Sequence, residues 1–317
     1  MANQKPKKKP EPKKSLKETK EVKAVKTEKT VKETTVKKEV VATKTENKLF
    51  KGFFARKFDA NENILTIFKT PKIWGALAGE AIGMMLIMML LLTLGVQPLY
   101  LMFALVGVYV VIVGISGANL NPLVTAGMMA SRRMSAIRGV LYMLAQLLGA
   151  WIGLIIINAF RLSSETTSML PIMTEISGDT FWSVAFIELL GAIVIAFCFA
   201  RSLKFSRRSP LTFALTVTSG ITLAVIFGIV ISQSYFGVQD NFIFNPVAAL
   251  MYQILPTAAD NFGELMQIVG LAVAAYIVVP IVGGILGFYL SDLMARLSGN
   301  GYETKEDCCT LETVANK

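Results

Sequence analysis

From Trp74 onward the chain is a series of long apolar runs separated by short polar breaks. A helix needs roughly 20 apolar residues to cross about 30 Å of hydrocarbon. Six runs approach or reach that length: 74–94, 99–116, 137–160, 181–200, 210–231 and 265–290. Two further apolar stretches, 121–130 and 245–255, are too short to cross. Both open on Asn-Pro. Asn is a preferred N-cap, and Pro suits the first helical turn, where its missing N–H is no loss. Each pair therefore predicts the start of a half-helix.

The pattern repeats. Run one contains GALAGEAIGMML with Glu80, and run four contains FIELLGAIVIAF with Glu188. Run three carries Gly149 and Gly153, and run six carries Gly283, Gly284 and Gly287. Each half reads as Glu-bearing helix, helix, half-helix, Gly-rich helix. With three spans per half, the second half enters the membrane from the opposite side, which predicts an inverted repeat whose broken helices meet near the midplane.

Charge fixes an expected orientation. Arg132, Arg133 and Arg138 follow the first half-helix, and Arg201, Lys204, Arg207 and Arg208 separate runs four and five, with no acid in either loop. The loop between runs three and four sets Arg161 against Glu165, Glu175 and Asp179, and the segment between runs five and six has Asp240, Asp260 and Glu264 with no Lys or Arg. The positive-inside rule then puts both termini on the cytoplasmic side of a cell membrane.

Residues 1–48 hold 16 Lys and 7 Glu, nearly all of the chain's net charge of +10, with no aromatic residue. Such a segment cannot bury enough apolar surface to offset its ordering entropy and is expected to be a disordered cytoplasmic tail. It reads as a solvated tail, with contact to anionic lipid or a binding arm as alternatives. Residues 49–72 mix aromatics with Lys and Arg and read as a linker or an interfacial segment. Residues 296–317 read as a second cytoplasmic tail, where Cys308 and Cys309 are expected to be inert thiols unless lipidated.

Composition narrows the chemistry. The chain is 53 % hydrophobic and only 17 % charged, against roughly 25 % in soluble proteins. No His is present, so His-based catalysis and HExxH zinc sites are excluded. Three Cys form no disulfide framework. No nucleophile, base or phosphate loop suggests an enzyme, and no cofactor, metal or nucleic acid is expected. The Met cluster at 84, 85, 88 and 89 reads as core or lipid-facing packing.

SGANLNPLVTAG (116–127) resembles the first signature of the major intrinsic protein family, the aquaporins and glycerol facilitators, and FNPVAAL (244–250) resembles a degraded second copy. Glu80, Glu188, Gln146 and Pro280 fall where that family has its helix motifs. The resemblance implies an all-α membrane protein over 73–295: six transmembrane helices plus two re-entrant half-helices, usually a homotetramer. It implies that Asn121, Pro122, Asn245 and Pro246 line the pore midplane. It also implies that Glu80 and Glu188, and by the same reading Gln146, buttress the loops entering the half-helices.

Physics supports a pore at such a junction. Each half-helix N-terminus places roughly half a positive charge at the midplane, which repels cations and protons. The two Asn amides would donate to a passing oxygen. The resemblance places a selectivity filter on Leu101, Gln233, Phe242 and Ala248, read without gaps. Ala248 stands where relatives usually have Arg, Asn119 where they have His, and Leu123 and Val247 where they have Ala. Losing Arg should widen the filter and make it less polar, which leans toward glycerol-like polyols over water alone. The expected function is a passive channel for small neutral solutes. The alternatives are a proton-coupled secondary transporter using the intramembrane carboxylates, or a non-conducting scaffold acting through its basic tail.

Overall fold

The computed structural model describes residues 67–69, 71–94, 97–163, 176–206, 208–236, 242–252 and 261–298. The 1–48 tail, nearly all of 49–72, and Cys308 and Cys309 lie outside the described residues. All regular structure among the described residues is helical.

The first half comprises α1 (Pro71–Leu94), α2 (Pro98–Val113), α3 (Pro122–Ala130) and α4 (Ala136–Ser163). The second comprises α5 (Gly178–Ser202), α6 (Pro210–Ile231), α7 (Pro246–Tyr252) and a long helix. That helix runs as α8 (Phe262–Val273), a π turn (Ala274–Val278) and α9 (Val279–Leu297). Pro280 lies just beyond the π turn. Proline lacks an N–H and crowds the carbonyl four residues back, here Tyr276, and the wider turn accommodates both effects.

Five of these helices are long and apolar enough to cross a membrane. The sixth, α2, has 16 residues and is shorter than the 99–116 run. Pro98 opens it, and the helix stops at Gly114, where the chain turns toward a loop with left-handed residues.

The two halves pack by one device. On α4, Gly149 and Gly153 lie on the main chain of α1, and a Cβ at Gly153 would come 2.6 Å from the Met85 carbonyl. On α9, Gly283 and Gly287 lie on α5, and a Cβ at Gly287 would come 2.5 Å from the Ile193 carbonyl. Small residues four apart let helix backbones approach closely where apolar lipid offers no hydrophobic drive to association. Helices α2 and α6 pack across the halves, and α3 packs on α9. A buried ion pair adds to that last contact: Arg133 binds both carboxylate oxygens of Asp292, at 2.5 and 3.3 Å. Partners this dry are useful only when paired, since each alone would be a buried charge.

Candidate pore site

The segment between α2 and α3 carries three residues in the left-handed region: Gly117 (φ 92°), Ala118 (φ 52°) and Leu120 (φ 52°). Two of them carry side chains, for which this conformation costs about 1–2 kcal/mol each. Strain of this kind persists where the surroundings fix the backbone. Glu80 on α1, fully buried, receives four hydrogen bonds. Its carboxylate accepts from Ser116 Oγ (2.6 Å), Asn119 N (3.0 Å), Leu120 N (2.8 Å) and Gln146 Nε2 (2.7 Å). The Tyr142 hydroxyl donates to Ser116 O at 2.9 Å, and Asn119 Nδ2 donates to Thr125 Oγ1 at 3.3 Å. Gln146 Oε1, also buried, has no hydrogen-bond partner among the described residues.

The segment entering α7 follows the same plan with fewer polar groups. Phe244, before Asn245, is left-handed at φ 53°. Glu188 on α5, fully buried, accepts from Ile243 N at 2.6 Å and from Phe244 N at 3.1 and 3.2 Å. The glycine one turn after each Glu makes room for the left-handed residue. Gly83 lies under Leu120, and Gly191 lies under the Phe244 ring.

The two half-helices meet through their caps. Asn121 Oδ1 accepts from Leu123 N at 3.0 Å, and Asn245 Oδ1 accepts from Val247 N and Ala248 N at 3.1 and 3.3 Å. The amides then cross over. Asn121 Nδ2 donates to Phe244 O at 2.8 Å, and Asn245 Nδ2 donates to Leu120 O at 3.4 Å. Each asparagine thus holds the carbonyl of the left-handed residue in the other half. Pro122 and Pro246 are the first residues of α3 and α7.

A narrow cavity of about 60 Å³ opens at this junction. Ile87 and Leu91 of α1, Leu101, Leu105 and Tyr109 of α2, Ile195 of α5, and Ile221 and Val225 of α6 form its walls. Leu120, Asn121 and residues 242–245 close it. A void of roughly 10–15 Å³ holds one water, so a short file of small molecules fits.

Of the residues assigned to a filter, Leu101 and Phe242 line this cavity, while Gln233 and Ala248 are not among its lining. Ala248 is fully buried in the first turn of α7. Gln233 is exposed in a π turn (Ser232–Phe236) beyond α6. The α6 residue that meets Phe242 is Gly228, where a Cβ would lie 2.7 Å from the ring. Ser116, Asn119, Thr125 and Tyr142 complete the Glu80 network, and the first three lie within SGANLNPLVTAG, where no local pattern marks them as its partners.

The model of one protein family, described as Major intrinsic protein, matches residues 67–291. The chain belongs to the major intrinsic protein family. Human Aquaporin-1 is 32 % identical over 116 residues, 35 % of this chain and 43 % of that protein. The probable aquaporin PIP2-5 of Arabidopsis thaliana is 46 % identical over 48 residues, 15 % of this chain and 17 % of the relative. These matches span less than half the length of the curated relatives. The crystal structure of the aquaglyceroporin from Plasmodium falciparum superposes with a TM-score of 0.51 at 18 % identity, covering 72 % of this chain and 98 % of that one. The major intrinsic protein fold, an all-helical membrane fold, is therefore shared.

Proposed function

We propose that this chain is a passive channel, not an enzyme, and that it conducts small neutral solutes, glycerol-like polyols and water. The observation that carries this reading is the crossed pair of hydrogen bonds, Asn121 to Phe244 O and Asn245 to Leu120 O, at the end of a narrow cavity. The bonds bring the N-terminal ends of two half-helices together, and helix N-termini are positive. A cation entering the cavity meets this field and finds mostly hydrocarbon walls, so it loses hydration without replacement. A neutral solute loses far less. Glu80 and Glu188 then act as buttresses, because their carboxylates are already occupied by the loop N–H groups, and Gln146 supports Glu80. The name aquaglyceroporin on the structural neighbour points the same way. Both termini cytoplasmic in a cell membrane, a homotetramer, and a Lys-rich tail near anionic lipid complete the proposed reading, on the charge pattern and family membership.

Stopped-flow light scattering on proteoliposomes containing the full chain tests it, comparing water, glycerol and urea with protein-free vesicles. Faster shrinkage and re-swelling, independent of any proton gradient, is expected. Uptake that collapses with the proton gradient, or vesicles no more permeable than controls, would overturn the reading.

A further inference from the structure

Tyr109 sits in α2 and is only 2 % exposed, yet it lines the cavity. Buried tyrosine hydroxyls usually find a partner. Those of Tyr142 and Tyr289 donate to the carbonyls of Ser116 and Ala130, each at 2.9 Å. The Tyr109 hydroxyl makes no hydrogen bond among the described residues. Its ring is held independently, 6.4 Å from Phe213 of α6 at an interplanar angle of 54°.

The other polar side chains of the cavity are Asn121 and Asn245, and both are largely committed. Each Oδ1 serves as a helix cap. Asn121 Nδ2 uses one N–H on Phe244 O, and Asn245 Nδ2 faces Leu120 O and Met84 Sδ. What remains is one N–H and one lone pair on Asn121. A hydroxyl both donates and accepts. Among the described lining side chains, Tyr109 therefore carries the one polar group with no hydrogen bond at all, in a wall otherwise made of groups such as Leu105, Ile221 and Val225.

We propose that Tyr109 is a solute-contacting residue that sets specificity, exchanging hydrogen bonds with neutral solutes that carry hydroxyl groups as they pass the apolar wall. This inference rests on the channel reading above. A polyol, with several hydroxyls to desolvate at once, depends on that contact more than a single water does.

Tyr109→Phe removes the hydroxyl and keeps the ring. Wild type and variant, reconstituted at equal measured protein content, are compared for glycerol and water permeability. One hydrogen bond contributes about 0.5–1.5 kcal/mol net, so glycerol permeability is expected to fall about threefold to tenfold. Water should change less, so the glycerol-to-water ratio falls. The variant should keep the wild-type size-exclusion profile and apparent melting temperature. An unchanged or raised ratio in a conducting protein overturns this inference alone. So does a variant that loses its fold, since the hydroxyl would then have a structural partner. A wild type that conducts neither solute overturns the channel reading itself.

Discussion

The two halves solve one problem with different materials. Each must hold a left-handed residue ahead of a capping asparagine, deep in a membrane protein. The first half does so with polar groups: Glu80 gathers two loop N–H groups, the Ser116 hydroxyl and the Gln146 amide. In the second half Glu188 receives, among the described residues, only the N–H groups of Ile243 and Phe244. Where the first half has Gln146, Asn119 and Thr125, the repeat places Pro280, Ile243 and Ala249. Aromatic packing fills the difference, with Phe242 and Phe244 stacked at 5.0 Å and resting on Gly228 and Gly191. A repeat thus preserves backbone geometry while its means of support diverge. Buried polar networks are costly when broken, whereas packed rings yield by degrees.

The largest effect is expected where the halves meet. Asn121→Asp keeps the capping oxygen but replaces the donor to Phe244 O with a second acceptor, and it puts a negative charge beside the cavity. Losing a buried hydrogen bond and leaving its carbonyl unsatisfied costs about 1–3 kcal/mol. Solute flux should fall by about tenfold or more, with a cation leak visible to a potential-sensitive dye. Asn245→Asp should be milder, because the bond it loses is 3.4 Å long against 2.8 Å. Wild-type flux and no leak in a folded Asn121→Asp protein would break the reading of these caps as the pore midplane. Equal effects from both would erase the asymmetry.

Next in size is the contrast between carboxylates. Glu80→Gln turns one acceptor into an NH2 facing donors on all sides, since both oxygens of Glu80 carry two bonds. Hydrogen bonds to charged groups are worth about 1.5–3 kcal/mol each, so a marked drop in apparent melting temperature is expected. Glu188→Gln can keep its amide oxygen on the Ile243 and Phe244 N–H groups and should lose less. Thermal scanning of detergent-solubilised protein checks the order. A stable Glu188→Gln variant that has lost proton-driven uptake would instead favour the transporter.

How much of this was legible beforehand follows from the physics of each feature. Spans, half-helices and repeat could be read because apolar length and Asn-Pro are local signals, and the helices begin within three residues of the apolar runs, although the last extends past residue 290 to Leu297. Gly83 and Gly191, each three residues after a Glu, were in plain view but acquire meaning only once Leu120 and Phe244 rest on them. The filter was least legible. Leu101 and Phe242 line the cavity while Gln233 and Ala248 do not, because which side chains face a cavity depends on how α2, α6 and the segment before Asn245 pack, and that is not a local signal. Tyr109 sits in an apolar run where a lone tyrosine looks like core, and only an unpartnered hydroxyl on a cavity distinguishes it.

A smaller effect concerns making the second half more polar. Ala248→Arg would add a cation and up to five donors to a half that otherwise relies on packing. Ala248 is fully buried and outside the cavity lining, so the guanidinium must reach toward Phe242 or disturb α7. If the folded variant, checked by size-exclusion chromatography, reaches the cavity, glycerol permeability should fall by a larger factor than water. Equal reduction, or none, would remove residue 248 from the filter.

The smallest effect probes whether packing alone positions the second half. Gly228→Ala adds one methyl whose carbon would lie 2.7 Å from Phe242 Cζ, too close for both to stay. The helix backbone of α6 is the stiffer partner, so the ring moves. On its other side Phe242 stacks on Phe244, which is itself seated on Gly191, leaving the cavity it lines as the free direction. A ring tilted by a few tenths of an ångström narrows the passage without unpairing any polar group. Overpacking of this kind costs about 1–3 kcal/mol when nothing can yield, and less here because the ring can. Glycerol permeability should therefore drop about twofold to threefold, corresponding to well under 1 kcal/mol in the barrier, with water and melting temperature nearly unchanged. A large loss of stability would mean that Phe242 is locked as firmly as the Glu80 network, and the contrast between a polar-held and a packing-held half would fail.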